Sequence, residues 1–288
     1  LAQWLAQTRI VTLMGTLNTF AASGTLVATT PLAALIAVFG WRDCYLAFTT
    51  GVAVLLFAFW IVVRDAPPGA RPSAARSESF ATVTRGVWEA LRQPGMVRLL
   101  VTGLPISATT AITGVWGAPY LQRVHGLDVI GAGNVLLAMA LCSMAGHTLL
   151  GFLARRANSV KTALLVGMTG VAVATGSLAA LDHPPVGIVA ALFCLLGMSS
   201  SFPMVVFAHA RGIVAPHLIG RGLSAANMGL MAAIALMQLV FGWIVGTVSG
   251  AGAAPTEIAY RTGFAALAAG AVLAIAVYLP IQDVRPKD

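Results

Sequence analysis

Eight stretches of 20 or more residues contain no Asp, Glu, Lys or Arg: 10–41, 44–63, 99–122, 129–154, 162–181, 183–210, 222–256 and 262–282. About 20 apolar residues at 1.5 Å rise each cross a hydrocarbon core. A spanning helix satisfies all its own backbone groups, which lipid cannot do for it. The sequence therefore predicts an all-α integral membrane protein with eight transmembrane helices, the longer stretches including loop. Charged residues make up 9% of the chain, against about 25% in soluble domains, too few to cover a water-facing surface. The expected partner is the lipid bilayer. The net charge of +8 would fit nucleic acid only if the basic residues shared one face. Here they lie between apolar runs, so no nucleic-acid partner is expected.

The connections divide by charge. Alternate ones carry Arg9; Arg64, Arg71, Arg76, Arg85, Arg92 and Arg98; Arg155, Arg156 and Lys161; Arg211 and Arg221; Arg285 and Lys287. The others carry only Arg42, Arg123 and Arg261. Under the positive-inside rule the first set is cytoplasmic, as are both visible termini. The Ala- and Arg-rich composition points to a bacterial inner membrane. No signal peptide is read at the start. Cys44, Cys142 and Cys194 all fall in apolar runs, as small core residues rather than a disulfide or metal framework.

One connection is long. Residues 64–79 are rich in Pro, Gly and Ser, a flexible linker composition. In residues 80–92, Phe80, Val83, Val87, Trp88 and Leu91 follow helical spacing. Two readings stand: an amphipathic helix on the membrane surface, or an extension of the next span broken at Pro94. Either way three regions are expected: 1–63 with two spans, 64–98 as linker, and 99–288 with six spans. Trp41-Arg42-Asp43-Cys44-Tyr45 and Tyr260-Arg261-Thr262-Gly263-Phe264 both read aromatic-Arg-x-x-aromatic, and both are expected at outer hairpin turns. Each preceding span has an Asn soon after a basic residue, Asn18 and Asn227. Two related hairpins indicate parallel repeats, as in many transporters.

Several segments together resemble the major facilitator superfamily of secondary transporters. GWRDCY at 40–45 resembles its hairpin between helices five and six, LRQPGMVRLL at 91–100 its lead-in to helix seven, and WGAPYLQRVHGL at 116–127 its exit from that helix. GFLARRAN at 151–158 resembles the signature loop G-x-L-A-D-R-x-G. Gly151, Leu153, Ala154 and Arg156 match it; Arg155 replaces the Asp and Asn158 the second Gly. The Asp's charge-relay role therefore does not transfer. The resemblance implies a bundle of that type seen from helix five to helix twelve, lacking the first four helices. Gly151 would then allow close helix approach and Arg156 would touch neighbouring helix ends.

It also implies a cavity near the membrane midplane. Polar stripes at i, i+4, i+7 and i+11 mark faces that could line it: Thr109, Thr113, Trp116 and Tyr120; Asn227 and Gln238; Asn18 and Thr25. The alternative for each is plain interhelical hydrogen bonding. Ser200, in GMSSSFP at 197–203, would either satisfy backbone groups freed near Gly197 and Pro203 or touch substrate. His147 and His209 could titrate near neutral pH, with protons as the coupling ion. No carboxylate and no Arg or Lys falls inside the apolar stretches, so the expected substrate is a neutral or amphipathic small organic solute. The protein is expected to work as a monomer by alternating access. A non-transporting sensor or inactive truncated product is the alternative. A membrane transferase is disfavoured: its acids and histidines must converge, whereas the five His are dispersed at 125, 147, 183, 209 and 217. No cofactor or metal is expected.

Overall fold

The computed structural model describes residues 24, 27, 28, 30–62, 80–250 and 253–285. Every regular element among them is helical. Seven helical stretches are long and apolar enough to cross a membrane: Trp41–Val62, Met96–His125, Val129–Arg156, Val160–Ala180, Val186–Ile213, Pro216–Ser249 and Glu257–Tyr278. Of the expected eighth, at 10–41, the described part holds one shorter apolar helix, Thr30–Phe39. Asn18 and Thr25 lie outside the described residues.

The chain forms two units, Leu1–Ser79 and Phe80–Asp288. The first contains α1 (Thr30–Phe39) and α2 (Trp41–Val62), packed on each other. Gly40, at φ +80°, is the whole turn between them; this left-handed conformation is open to Gly at little steric cost. Of α2 only Cys44 is buried.

The second unit begins with α3 (Phe80–Leu91), which packs against the much later α11 (Ile219–Ser249). Gly86 and Ala90 are buried on that side. Trp88 is 58% exposed and lies off the side that packs on α11. The chain turns at Gly95, φ +89°, and α3 is a separate helix rather than an extension of the next span. That span consists of α4 (Met96–Leu100), α5 (Gly103–Ala111), a π-helical turn (Ile112–Trp116) and α6 (Gly117–His125). Then come α7 (Val129–Arg156), α8 (Val160–Ala180), α9 (Val186–Ser199), α10 (Pro203–Ile213), α11 and α12 (Glu257–Tyr278).

Packing arranges these stretches in a ring. α5 lies on α11, α11 on α12, α12 on α8, α8 on α9, α9 on α7, and α7 on α6. Glycines set the closest contacts. A Cβ on Gly197 would lie 2.5 Å from the Met139 carbonyl oxygen, and one on Gly146 would lie 2.8 Å from the Met198 Cα. The two approaches are reciprocal between α7 and α9. Small residues of this kind drive helix association where lipid supplies no hydrophobic difference.

Neither aromatic-Arg motif is itself the turn. Trp41–Tyr45 opens α2, and Tyr260–Phe264 begins one turn inside α12, after a connection at 250–256. The helices extend beyond the apolar stretches, so Asp43 and Glu257 occupy first turns of spanning helices. The two motifs also differ in use. Tyr260 is fully buried, whereas Tyr45 is 72% exposed. Arg261 donates to the carbonyls of Ala179 (3.0 Å) and Ala180 (3.2 Å) and pairs with Asp182 at 2.6 Å. Arg42 instead stacks over Trp41 at 4.6 Å.

Candidate functional site

The site is built around the π turn. In an α-helix, residues 109, 113, 116 and 120 share one face. A π turn carries one residue too many and changes the register by about 100°. The predicted stripe is therefore divided. Thr109 is half-buried and hydrogen-bonds the Ser200 hydroxyl. Thr113 is exposed and donates to the Thr109 carbonyl at 2.8 Å. Trp116 is half-buried, its ring 5.1 Å from Phe241. Tyr120, 1% exposed, lies among Phe193, Tyr260 and Phe264.

Trp116 Nε1–H donates to Gln238 Oε1 at 3.2 Å, and Gln238 Nε2 donates to the Thr110 carbonyl at 3.4 Å. An amide has two N–H donors and two acceptor lone pairs. Gln238 thus keeps one donor and one lone pair beyond these two bonds. The network ties α11 to the π turn, where Thr113, Gly114 and Val115 are exposed. Asn227 is also exposed on α11, about 16 Å along the axis from Gln238 at 1.5 Å per residue.

Ser200 is 5% exposed and sits at the break between α9 and α10. It donates to the Leu196 carbonyl at 2.8 Å and meets Thr109. Ser201 lies 2.8 Å from the carbonyls of both Ser143 and Gly197, and 2.9 Å from the Ser143 hydroxyl. These hydroxyls hold α7, α9 and the α5 stretch together where Pro203 interrupts the backbone ladder.

His147 is exposed and its Nδ1 lies 2.8 Å from the Ser143 carbonyl, so Nδ1 carries the proton. His209 is fully buried. Its Nε2–H donates to the Gln282 carbonyl (3.1 Å), while Nδ1 accepts from the Tyr278 hydroxyl (2.7 Å). Both nitrogens are in use, and the neutral tautomer is fixed.

In the signature-like loop, α7 ends at Arg156 and Asn158 takes a left-handed conformation, φ +48°. Asn follows Gly as the residue most often found there, which accounts for the departure at this position. Ser159 then caps α8, accepting from Thr162 N–H at 2.9 Å. Arg155 and Arg156 are exposed, and a Cβ on Gly151 meets nothing within 4 Å. The close approach expected of Gly151 is thus not found among the described residues. Lys161 makes the ordered contacts instead. Its Nζ donates to the carbonyls of Leu279 (2.5 Å) and Ile281 (2.9 Å), and its N–H donates to Asp283 (2.9 Å). Burial pushes the Asp283 carboxyl up, but hydrogen bonds from Ser159, Lys161 and Val284 outweigh it and hold the group below its ordinary value. The segment after α12 is thereby docked on the start of α8. The charge pattern marked Lys161 as basic but gave no sign of this partner, 118 residues away in sequence.

No curated protein matches the chain. The family model described as Major Facilitator Superfamily matches residues 1–237. With its membrane-length helices, the chain belongs to that superfamily of membrane transporters, which are not enzymes.

Proposed function

We propose that the protein moves a neutral or amphipathic small organic solute by alternating access, with the solute bound against the π turn and α11. The observation that carries this reading is the Trp116–Gln238–Thr110 network. It leaves Gln238 a spare donor and acceptor beside an indole face, which suits a solute with both apolar and hydrogen-bonding groups. Thr113 and Asn227, both exposed, extend the same surface. Thr109 and Ser200 bond to each other behind it and shape it, and Tyr120 acts at a distance through the aromatic cluster.

The visible termini are assigned to the cytoplasm on the distribution of basic residues, fourteen on one set of connections and three on the other. The Ala- and Arg-rich composition supports a bacterial inner membrane as its location. Proton coupling would use the exposed His147 more readily than the buried His209, whose two nitrogens are both bonded. The test is uptake and efflux by the full-length protein in vesicles, with and without a proton gradient. Q238A and N227A together should lower flux at least tenfold at subsaturating solute. Unchanged flux in the double variant rejects the site. Flux by wild type that ignores the gradient rejects the coupling alone.

A further inference from the structure

A notch lies where α3 meets the Met96–His125 stretch. It is a cavity of about 570 Å³ lined by Trp88, Leu91, Arg92, Pro94, Val97 and Arg98, among others. Ala90 and Met96, next in sequence to lining residues, are fully buried. Its rim is open. Trp88 and Val97 are 58% and 60% exposed, and Arg92 and Arg98 are both exposed. The Arg92 guanidinium lies 5.2 Å from the Trp88 ring centre, which holds the indole and the charge together. Arg85 and Glu89 are exposed on the same helix, so the four charges sum to a net positive patch.

We propose that this notch binds the phosphodiester headgroup of an anionic phospholipid. Three features select that occupant. The notch sits where a membrane-length stretch begins, which is the depth of lipid headgroups. Two arginines lining one cavity suit a phosphate's oxygens. An exposed indole and valine offer apolar surface for the glycerol and upper acyl chain, which a free phosphate ester does not need. The inference is independent of the solute site and of which side of the membrane α3 faces.

Native mass spectrometry of the full chain in detergent, titrated with dimyristoyl phosphatidylglycerol or dimyristoyl phosphatidylcholine, tests it. A guanidinium near an anionic lipid contributes about fivefold in affinity. R92Q/R98Q should therefore bind phosphatidylglycerol roughly 25-fold more weakly and phosphatidylcholine unchanged. R211Q/R285Q removes the same charge elsewhere on the unit and should bind phosphatidylglycerol within twofold of wild type. Millimolar glycerol 3-phosphate should not displace the lipid. Three outcomes overturn the proposal: undiminished phosphatidylglycerol binding by R92Q/R98Q, an equal loss in R211Q/R285Q, or displacement by glycerol 3-phosphate, which would assign the notch to a soluble phosphate ester.

Discussion

The reciprocal contact of α7 and α9 makes Gly197→Ala a demanding test of the bundle. The new Cβ would lie 2.5 Å from the Met139 carbonyl oxygen, and ordinary contact begins at 3.4 Å. The obstacle is backbone, so no rotamer change relieves it, and the helices must part by about 0.9 Å. That displacement would stretch the Ser143–Ser201 contacts, now 2.9 and 2.8 Å, to about 3.8 and 3.7 Å, beyond hydrogen-bonding range. Overpacking a close contact costs about 1–3 kcal/mol, and each lost hydrogen bond within a membrane bundle about 0.6 kcal/mol. The sum is a loss of roughly 2–4 kcal/mol, to be read from reversible unfolding in mixed detergent micelles. Gly187→Ala on the same helix is the control, because a Cβ there meets nothing within 4 Å. It should stay within about 0.5 kcal/mol of wild type. S201A should lose only the smaller hydrogen-bond share. The argument fails if G197A and G187A unfold alike, or if S201A loses as much as G197A.

Tyr278→Phe removes the donor to a fully buried His209 nitrogen and should destabilise the protein by about 1–3 kcal/mol, measured in the same unfolding assay. Lys161→Met should free the segment after α12, seen as faster proteolysis beyond Tyr278 with no change in the rest of the bundle. Asp283 adds a pH dependence to that docking. Its folded carboxyl is held below the ordinary value of 3.8, so its contribution is present above that value and fades as pH falls through the lower folded one. Protection of the segment from hydrogen exchange should drop below about pH 4, and D283N should abolish that drop by weakening the docking at every pH. Arg261→Gln should loosen the α8–α9 connection, since it loses the bonds to Ala179, Ala180 and Asp182 together; faster hydrogen exchange at 179–184 is the expected sign.

Charge spacing carried most of the fold. It located the seven described spans because a helix excludes charge along the length that lies in hydrocarbon, and such an exclusion is visible in one dimension. It placed the helix ends poorly, since Glu257 and Asp43 sit at the interface and a helix continues there regardless of polarity. The site was half legible. Gln238 and Trp116 stood out as polar groups at helical spacing, but their bond joins two helices 122 residues apart, and no periodicity within one helix encodes it. Tyr120 was grouped with Thr113 because a regular helix was assumed; the π turn invalidates that spacing. Lys161 could be seen as a cation but not as a cap for α12, because its acceptors are backbone carbonyls, which carry no sequence signal.

The π turn at Ile112–Trp116 can also be regarded as an inserted residue that the helix has absorbed. Its flanking segments, α5 and α6, keep their own neighbours on either side of it. Deleting Gly114, whose surroundings are open, would let the backbone close into a continuous α-helix without moving those flanks. Such a deletion is ordinarily ruinous inside a spanning helix, where it would rotate everything downstream. Here the bundle should tolerate it, and the change would fall on the aim of Thr113 and Trp116. A one-residue change in length would thus alter which solute is accepted while leaving the scaffold in place, a route to new specificity that works through backbone register rather than side-chain identity.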